Sequence, residues 1–258
     1  MRVALCISGQ PRKAFETYPF IYENIIKPNN ADVFIHMHYD ENNLYCEKSH
    51  INNGTCYFEP ETDKKVIELY KPVNYLIESP RNFQNPNINV AEKRINNFIK
   101  MCNNNDKESI KKHMLKQMIS MYYSIYKCNE LKELYANENN FVYDYVIRLR
   151  FDFMPLNPIF CSYLNKDYIY YLEIGQTDNL ISDWINIGSN LTMNVYSSLF
   201  LNIEYLNTFK YYKIDERGEN TCEPSTTCSG MSEHLLRDLM HLYKIPKQAF
   251  YINSRLLV

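Results

Sequence analysis

Three charged side chains at alternate positions, Arg148, Arg150 and Asp152, close the apolar run Tyr143-Asp144-Tyr145-Val146-Ile147-Arg148-Leu149-Arg150-Phe151-Asp152-Phe153. Guanidinium groups meet phosphate oxygens through paired N–H donors, and a carboxylate beside them suits a divalent cation. If the run is a strand, period-two alternation places all three on one face. The plainer use of the same residues is an Arg–Asp ion pair that closes the strand end.

Other residues could act with these three. Gly9-Gln10-Pro11-Arg12 follows the first apolar run, Val3 to Ser8, where backbone amides and an arginine can meet a base or phosphate. His36, His38 and Asp40 in His36-Met37-His38-Tyr39-Asp40 share a face if that strand persists. The spacing is compatible with metal ligation, and equally with histidines that only donate hydrogen bonds. Asp183-Trp184 offers a carboxylate that could take a proton from a hydroxyl and an aromatic face for a sugar ring, or else an N-cap and a core tryptophan. Glu233 and His234, opening a helix after Ser232, are secondary candidates. There is no G-x-G-x-x-G, Walker, G-x-S-x-G or H-E-x-x-H pattern. Dinucleotide cofactors, P-loop ATP hydrolysis and those hydrolase classes therefore have no support.

The elements that must position these groups alternate strand and helix. Strands are expected at Val3 to Ser8, Ala31 to His38, Val73 to Glu78, Tyr143 to Phe153, Tyr168 to Ile174 and Trp184 to Gly188. Helices are expected at Ala14 to Ile26, Leu191 to Ile203 and Ser232 to Tyr243. One long helix or two in series should cover Lys107 to Asn137, with a core stripe of Leu115, Met118, Tyr122, Ile125, Tyr126, Leu131, Leu134 and Tyr135. Tyr39 to Pro60 reads as a long polar loop. The alternation predicts an α/β fold: one domain over residues 1–258, with a mostly parallel central sheet flanked by helices. Ligands of such sheets bind outside the carboxyl ends of the strands, where the charged groups above fall.

Composition narrows the partners. With a formal net charge of −2, a pI near 6.3 and no Lys/Arg block, nothing provides the basic footprint that nucleic acid needs. No apolar stretch reaches the length of a transmembrane helix, and the short N-terminal run reads as a core strand rather than a signal peptide, so a cytoplasmic protein is expected. The 8 cysteines lack C-x-x-C spacing, which argues for reduced thiols, with Cys222 and Cys228 the pair to watch. Asn53-Gly54-Thr55 and Asn190-Leu191-Thr192 match the glycosylation sequon, as an Asn-rich chain does by chance. A homodimer is the default expectation from base rates.

In their order along the chain, Ala4 to Arg12, Asp32 to His36, Gln117 to Lys132, Tyr143 to Asp152 and Ser182 to Ser189 resemble a broad group of glycosyltransferase-like proteins. These are found in surface-polysaccharide gene clusters and in large DNA viruses, and are similar to single-domain relatives of the GT-A (Rossmann-like) fold. The resemblance covers residue 1 to about residue 240. It implies a transferase that moves a sugar from a nucleotide-sugar donor to a glycan or other hydroxyl acceptor, in the host cytoplasm if viral. Gly9, Gln10 and Arg12 would lie near the nucleotide, Arg148 and Arg150 near the diphosphate, Asp152 on Mn²⁺ or Mg²⁺ or the donor sugar, and Asp183 would be the base. The family pattern is Asp-x-Asp, and position 150 here is Arg. Arg150 could neutralise the diphosphate directly, which puts the metal in doubt. A catalytically silent sugar-nucleotide or glycan-binding module is the alternative. A sugar-1-phosphate nucleotidyltransferase would need a Gly-rich loop that a chain with 6 glycines does not supply.

Overall fold

The computed structural model describes residues 1–47, 55–83, 106–172, 181–208, 212–214, 220–222, 232–250 and 254–256. In chain order the elements are β1 (Val3–Gly9), α1 (Ala14–Ile21), β2 (Asp32–His38), β3 (Tyr45–Glu47), β4 (Thr55–Tyr57), α2 (Thr62–Tyr70), β5 (Asn74–Glu78), α3 (Lys107–Glu138), β6 (Tyr145–Leu149), β7 (Phe153–Pro155), β8 (Ile169–Leu172), β9 (Ile185–Gly188), α4 (Asn190–Ser197), α5 (Leu199–Thr208), β10 (Tyr212–Ile214), β11 (Asn220–Cys222), α6 (Ser232–Leu242), β12 (Lys247–Phe250) and β13 (Ser254–Leu256). Seven strands form one sheet in the order β12-β8-β9-β6-β1-β2-β5. Six run in one direction and β9 runs against them. This is an α/β architecture with a mostly parallel sheet, compatible with a Rossmann-like fold.

Both faces of the sheet are covered, which explains why β1 reads Val-Ala-Leu-Cys-Ile-Ser with no polar alternation. Its side chains sort by parity. Ala4 and Cys6, with Phe34 and Val146, pack under α3, α4, α5 and α6. Leu5 and Ile7, with Ile35, Ile147 and Leu149, pack against α1 and α2. Hence a slip of one residue in β1 would exchange the two cores and bury Ser8 on the wrong side.

Helix α3 is 32 residues long, about 48 Å at the usual rise. Its buried stripe runs Leu115, Met118, Tyr122, Ile125, Cys128, Lys132 and Ala136, so the expected stripe holds through Ile125 and then shifts. Leu134 is exposed, and a charged residue takes the core position instead. Lys132 Nζ is satisfied there by Asn190 Oδ1 at 2.5 Å, Asn194 Oδ1 at 2.8 Å and Glu133 Oε1 at 2.7 Å, which ties α4 to the C-terminal part of α3. Burial lowers its pKa, against the opposing pull of Cys6 and Glu133. The Asn190 side chain of the second sequon thus already accepts a hydrogen bond from Lys132.

Several boundaries differ from expectation for local reasons. Pro19 lies inside α1, and the chain continues after Ile21 through a wider π turn, Tyr22–Ile26, so the expected single helix is interrupted. The long apolar run around Arg148 is two short strands, β6 and β7, separated by a turn at residues 150–152. The expected helix from Leu191 to Ile203 divides into α4 and α5 at Ser198, with Ser189 capping α4 by accepting from Thr192 N at 3.3 Å. The expected loop from Tyr39 to Pro60 contains the β3–β4 hairpin. Strands β10 to β13 were not anticipated. Among the described residues no helix is long and apolar enough to cross a membrane. Cys6, Cys128 and Cys161 are buried free thiols, while the side chains of Cys222 and Cys228, the sequon at Asn53 and the side chains of Glu233 and His234 lie outside the described residues.

Candidate functional site

The strand order places a topological switch between β1 and β6. From β1 the chain proceeds outward through β2 to β5, then returns to the opposite side of β1 as β6. The loops leaving β1 and β6 therefore diverge, and the crevice between them is where open α/β sheets bind ligands. Gly9 to Arg12 occupies the first loop and Arg150 to Asp152 the second. Because β9 runs antiparallel beside β6, the residues that enter it, Ser182 and Asp183, arrive at the same edge. A strand running the other way would have carried Asp183 to the far end of the sheet.

The loop after β1 depends on a conformation open to glycine. Gly9 has φ 120°, and a Cβ built there meets nothing within 4 Å, so the demand comes from the backbone alone. Gly9→Ala is accordingly expected to cost about 1–3 kcal/mol through strain rather than clash, which urea denaturation would measure. The loop then closes through Arg12 N donating to Gln10 O at 2.8 Å, and Lys13 adopts a left-handed φ of 56° to start α1.

The loop after β6 is held by α1. Thr17 Oγ1 donates to Phe151 O at 2.6 Å, and Phe153 N donates to Arg150 O at 3.3 Å, closing the turn. Phe151 packs edge-on against Tyr70 of α2, whose hydroxyl donates to Ala14 O at 2.9 Å. Arg150 N reaches across to Trp184 O at 3.3 Å. Thus α1, α2 and the entry to β9 together fix the turn that carries the charges.

Within that frame Arg150 donates Nε to Asp152 Oδ1 at 2.8 Å and Nη2 to Asp152 Oδ2 at 2.7 Å, a two-point pair. Its Nη1 lies 3.7 Å from Asp183 Oδ2. Burial opposes the Arg150 charge, but the two facing carboxylates outweigh it and hold its pKa above the ordinary value. Arg12 shares the field: burial lowers its pKa, Asp152 opposes that and Arg150 adds to it. The ion pair anticipated as the plainer reading is therefore present, and it belongs to a larger charged cluster of Arg12, Arg150, Asp152 and Asp183. Trp184 is half-buried against the core on the α1 and α2 side, closer to the core-tryptophan reading of the two.

Arg148 stands apart from Arg150. It is in β6, pairs with Cys6 and Asn186 in register, and is 2% exposed on the face under α3. Its Nε and Nη1 are buried without a hydrogen-bond partner. Alternation was expected to set Arg148, Arg150 and Asp152 on one strand face, but β6 ends at Leu149, so only Arg148 lies in the strand and Arg150 and Asp152 belong to the following turn.

A second polar cluster, not foreseen as a unit, lies one strand away. His36 is fully buried, with Nδ1 2.7 Å from Ser124 Oγ and Nε2 2.9 Å from Glu78 Oε2. Tyr123 OH donates to the same carboxylate oxygen at 2.8 Å, and Arg81 pairs with the other. Glu78 can only accept when ionised, which assigns the proton of His36 to Nε2 and makes Nδ1 the acceptor from Ser124. Burial lowers the His36 pKa to about 4. Burial alone would raise Glu78, but hydrogen bonds from His36, Tyr123 and Arg81 outweigh it and hold the pKa at about 2. The metal set that the spacing of His36, His38 and Asp40 would allow does not assemble. Both His36 nitrogens are engaged, and Asp40 Oδ1 accepts from Asn42 N at 3.0 Å beyond the strand. No group of three or more His, Cys, Asp or Glu side chains placed to hold a metal occurs among the described residues. The sequence signal for this cluster was the polar end of each strand, Glu78 included, with Ser120 and Ser124 on the inner stripe of α3.

Compared with protein-family models and with curated proteins, the chain matches none.

Proposed function

We propose that this protein is a GT-A-like glycosyltransferase that moves a sugar from a nucleotide-sugar donor to a hydroxyl of a glycan or other acceptor. The observation that carries the reading is the partly buried Arg12–Arg150–Asp152–Asp183 cluster at the switch point between β1 and β6. Gly9, Gln10 and Arg12 take the nucleotide side, Arg148 and Arg150 the diphosphate, and Asp152 the donor sugar. Asp183 is the group that takes the acceptor proton. Fixed guanidinium charge beside a leaving diphosphate stabilises the negative charge that develops as the glycosidic bond breaks.

The donor set does not suit Mn²⁺ or Mg²⁺. Both oxygens of Asp152 are bound to Arg150, Asp183 shares that guanidinium, and a dication would have to displace it beside Arg12. In this reading the arginines supply the positive charge that a metal supplies elsewhere. One feature favours the silent binding module as a second reading: Asp183 Oδ2 lies 3.7 Å from Arg150 Nη1, so the carboxylate that would take the acceptor proton already faces a cation.

The test is a thermal-shift panel of UDP-, GDP-, CMP- and dTDP-sugars with and without Mn²⁺, followed by measurement of nucleotide release with an acceptor. Stabilisation by one nucleotide class with turnover supports the transferase. Stabilisation without turnover supports the binding module, no stabilisation contradicts both, and a strict Mn²⁺ requirement contradicts the arginine assignment.

A further inference from the structure

We infer that Arg148, with Ser8 and Ser182, forms a subsite for the phosphate groups of the ligand, distinct from the Arg150–Asp152–Asp183 cluster beside it. The inference rests on the reading above only for which molecule carries the phosphate.

Three guanidinium groups and two carboxylates meet at the switch-point edge, and their pairing is unequal. Arg150 holds Asp152 at two points and faces Asp183 at 3.7 Å. Arg12 feels the field of Asp152. Arg148, 2% exposed, makes no ion pair among the described residues, and two of its nitrogens have no acceptor. A buried charge without a counter-charge is among the costliest arrangements a fold can hold. The other buried cation on that face, Lys132, shows how the chain deals with such a charge when the role is structural: three oxygens surround it.

The polar groups flanking Arg148 are equally unspent. Ser8 lies two residues beyond Cys6, the register partner of Arg148, on the same face of β1, and its Oγ is buried without a partner. On the other side Asn186 pairs with Arg148 in register and donates Nδ2 to Ser182 O at 3.0 Å, bringing Ser182 over the same face. Ser182 Oγ is also buried and unpartnered. A guanidinium and two hydroxyls carried to one face by this register, none of them with a hydrogen-bond partner and no carboxylate paired with the guanidinium among the described residues, present donors to an anion. Phosphate oxygens fit that set, and they would meet here a guanidinium that no carboxylate shares, unlike Arg150 with Asp152 and Asp183.

An unpaired buried arginine also predicts the behaviour of the empty protein. Replacing one member of a satisfied ion pair destabilises, whereas replacing an uncompensated buried charge by an apolar side chain of similar length does not. The experiment measures the melting temperature of wild type, Arg148→Met and Arg148→Lys with and without inorganic pyrophosphate, with UDP, GDP, CMP and dTDP as further arms. Wild type should rise by about 5 °C or more at roughly one hundred times Kd. Arg148→Met without ligand should melt no lower than wild type and should lose the shift. Arg148→Lys, which keeps the charge and loses the planar fork, should bind pyrophosphate at least about tenfold more weakly.

Three results would each overturn the subsite: no pyrophosphate shift in wild type, an Arg148→Met protein that melts more than about 5 °C lower or does not fold, or undiminished affinity in Arg148→Lys. The two proposals fail separately. A pyrophosphate shift that depends on Arg148 without any nucleotide-sugar response keeps the subsite and removes the transferase. A nucleotide-sugar response indifferent to Arg148 does the reverse.

Discussion

Asp152→Ala is expected to remove both the response to a nucleotide-sugar and about 2–4 kcal/mol of folding stability. The carboxylate is 6% exposed and binds Arg150 at two points, so its loss leaves a guanidinium that is itself largely enclosed with only the longer contact to Asp183. Removing one partner of such a pair strands the other charge, which is where most of the cost arises. Asp152→Asn keeps the shape and one acceptor for Arg150 and should cost less than half as much. Transfer, if it depends on the geometry of this turn, should fall by on the order of 100-fold or more in either variant. Urea denaturation and a turnover assay on the same preparations separate the two effects. A stable Asp152→Ala protein with intact ligand response would remove Asp152 from the site.

The second large effect is acid sensitivity at the β2–β5 edge. His36 has its pKa lowered from 6.5 to about 4 by burial, so between these values the unfolded chain binds a proton that the folded chain refuses. More protons on the unfolded state means that stability rises with pH across that window. The contribution is complete above about pH 6.5 and is lost as pH falls through about 4, a difference of about 3 kcal/mol. Glu78 acts in the same direction at lower pH: held at about 2 against an ordinary 4.5, it supports the fold above about pH 4.5 and fails as pH falls through 2. His36→Gln, which cannot be protonated, should flatten the stability profile between pH 6.5 and 4 while lowering stability at pH 7 through the altered contacts to Ser124 and Glu78. Chemical denaturation at pH 7, 5.5 and 4 would measure it, and parallel profiles for wild type and His36→Gln would refute the assignment.

What could be read from the chain depended on whether a signal was local. The α/β alternation and strands β1, β2, β5, β6, β8 and β9 were legible because apolar runs between turns mark buried strands. The grouping of Gly9 to Arg12 with Arg150 to Asp152 was legible because the first follows one apolar run and the second closes another, and the carboxyl edge of a parallel sheet gathers such ends. The antiparallel direction of β9 was not, since nothing in Trp184 to Gly188 says which way it enters the sheet. That direction brings Asp183 to Arg150 and Ser182 over the face of Arg148. Period-two counting carried Arg150 and Asp152 into a strand that stops at Leu149, because periodicity does not register a turn fixed from outside by Thr17 and Trp184. The role of His36 as a hydrogen-bonding rather than a metal-binding histidine was illegible for a similar reason: its partners are Ser124 and Glu78, 88 and 42 residues away in sequence.

The central claim is that the ligand sits between the carboxyl ends of β1 and β6. The most direct measurement is a crystal structure of the protein with whichever nucleotide-sugar stabilises it most. The account predicts the phosphates within hydrogen-bond distance of Arg148 and Arg150, the nucleotide against Gly9 to Arg12 and the sugar against Asp152. Phosphates bound elsewhere, for instance at the His36–Glu78 edge, or a metal ion held by Asp152 in place of Arg150, would contradict it.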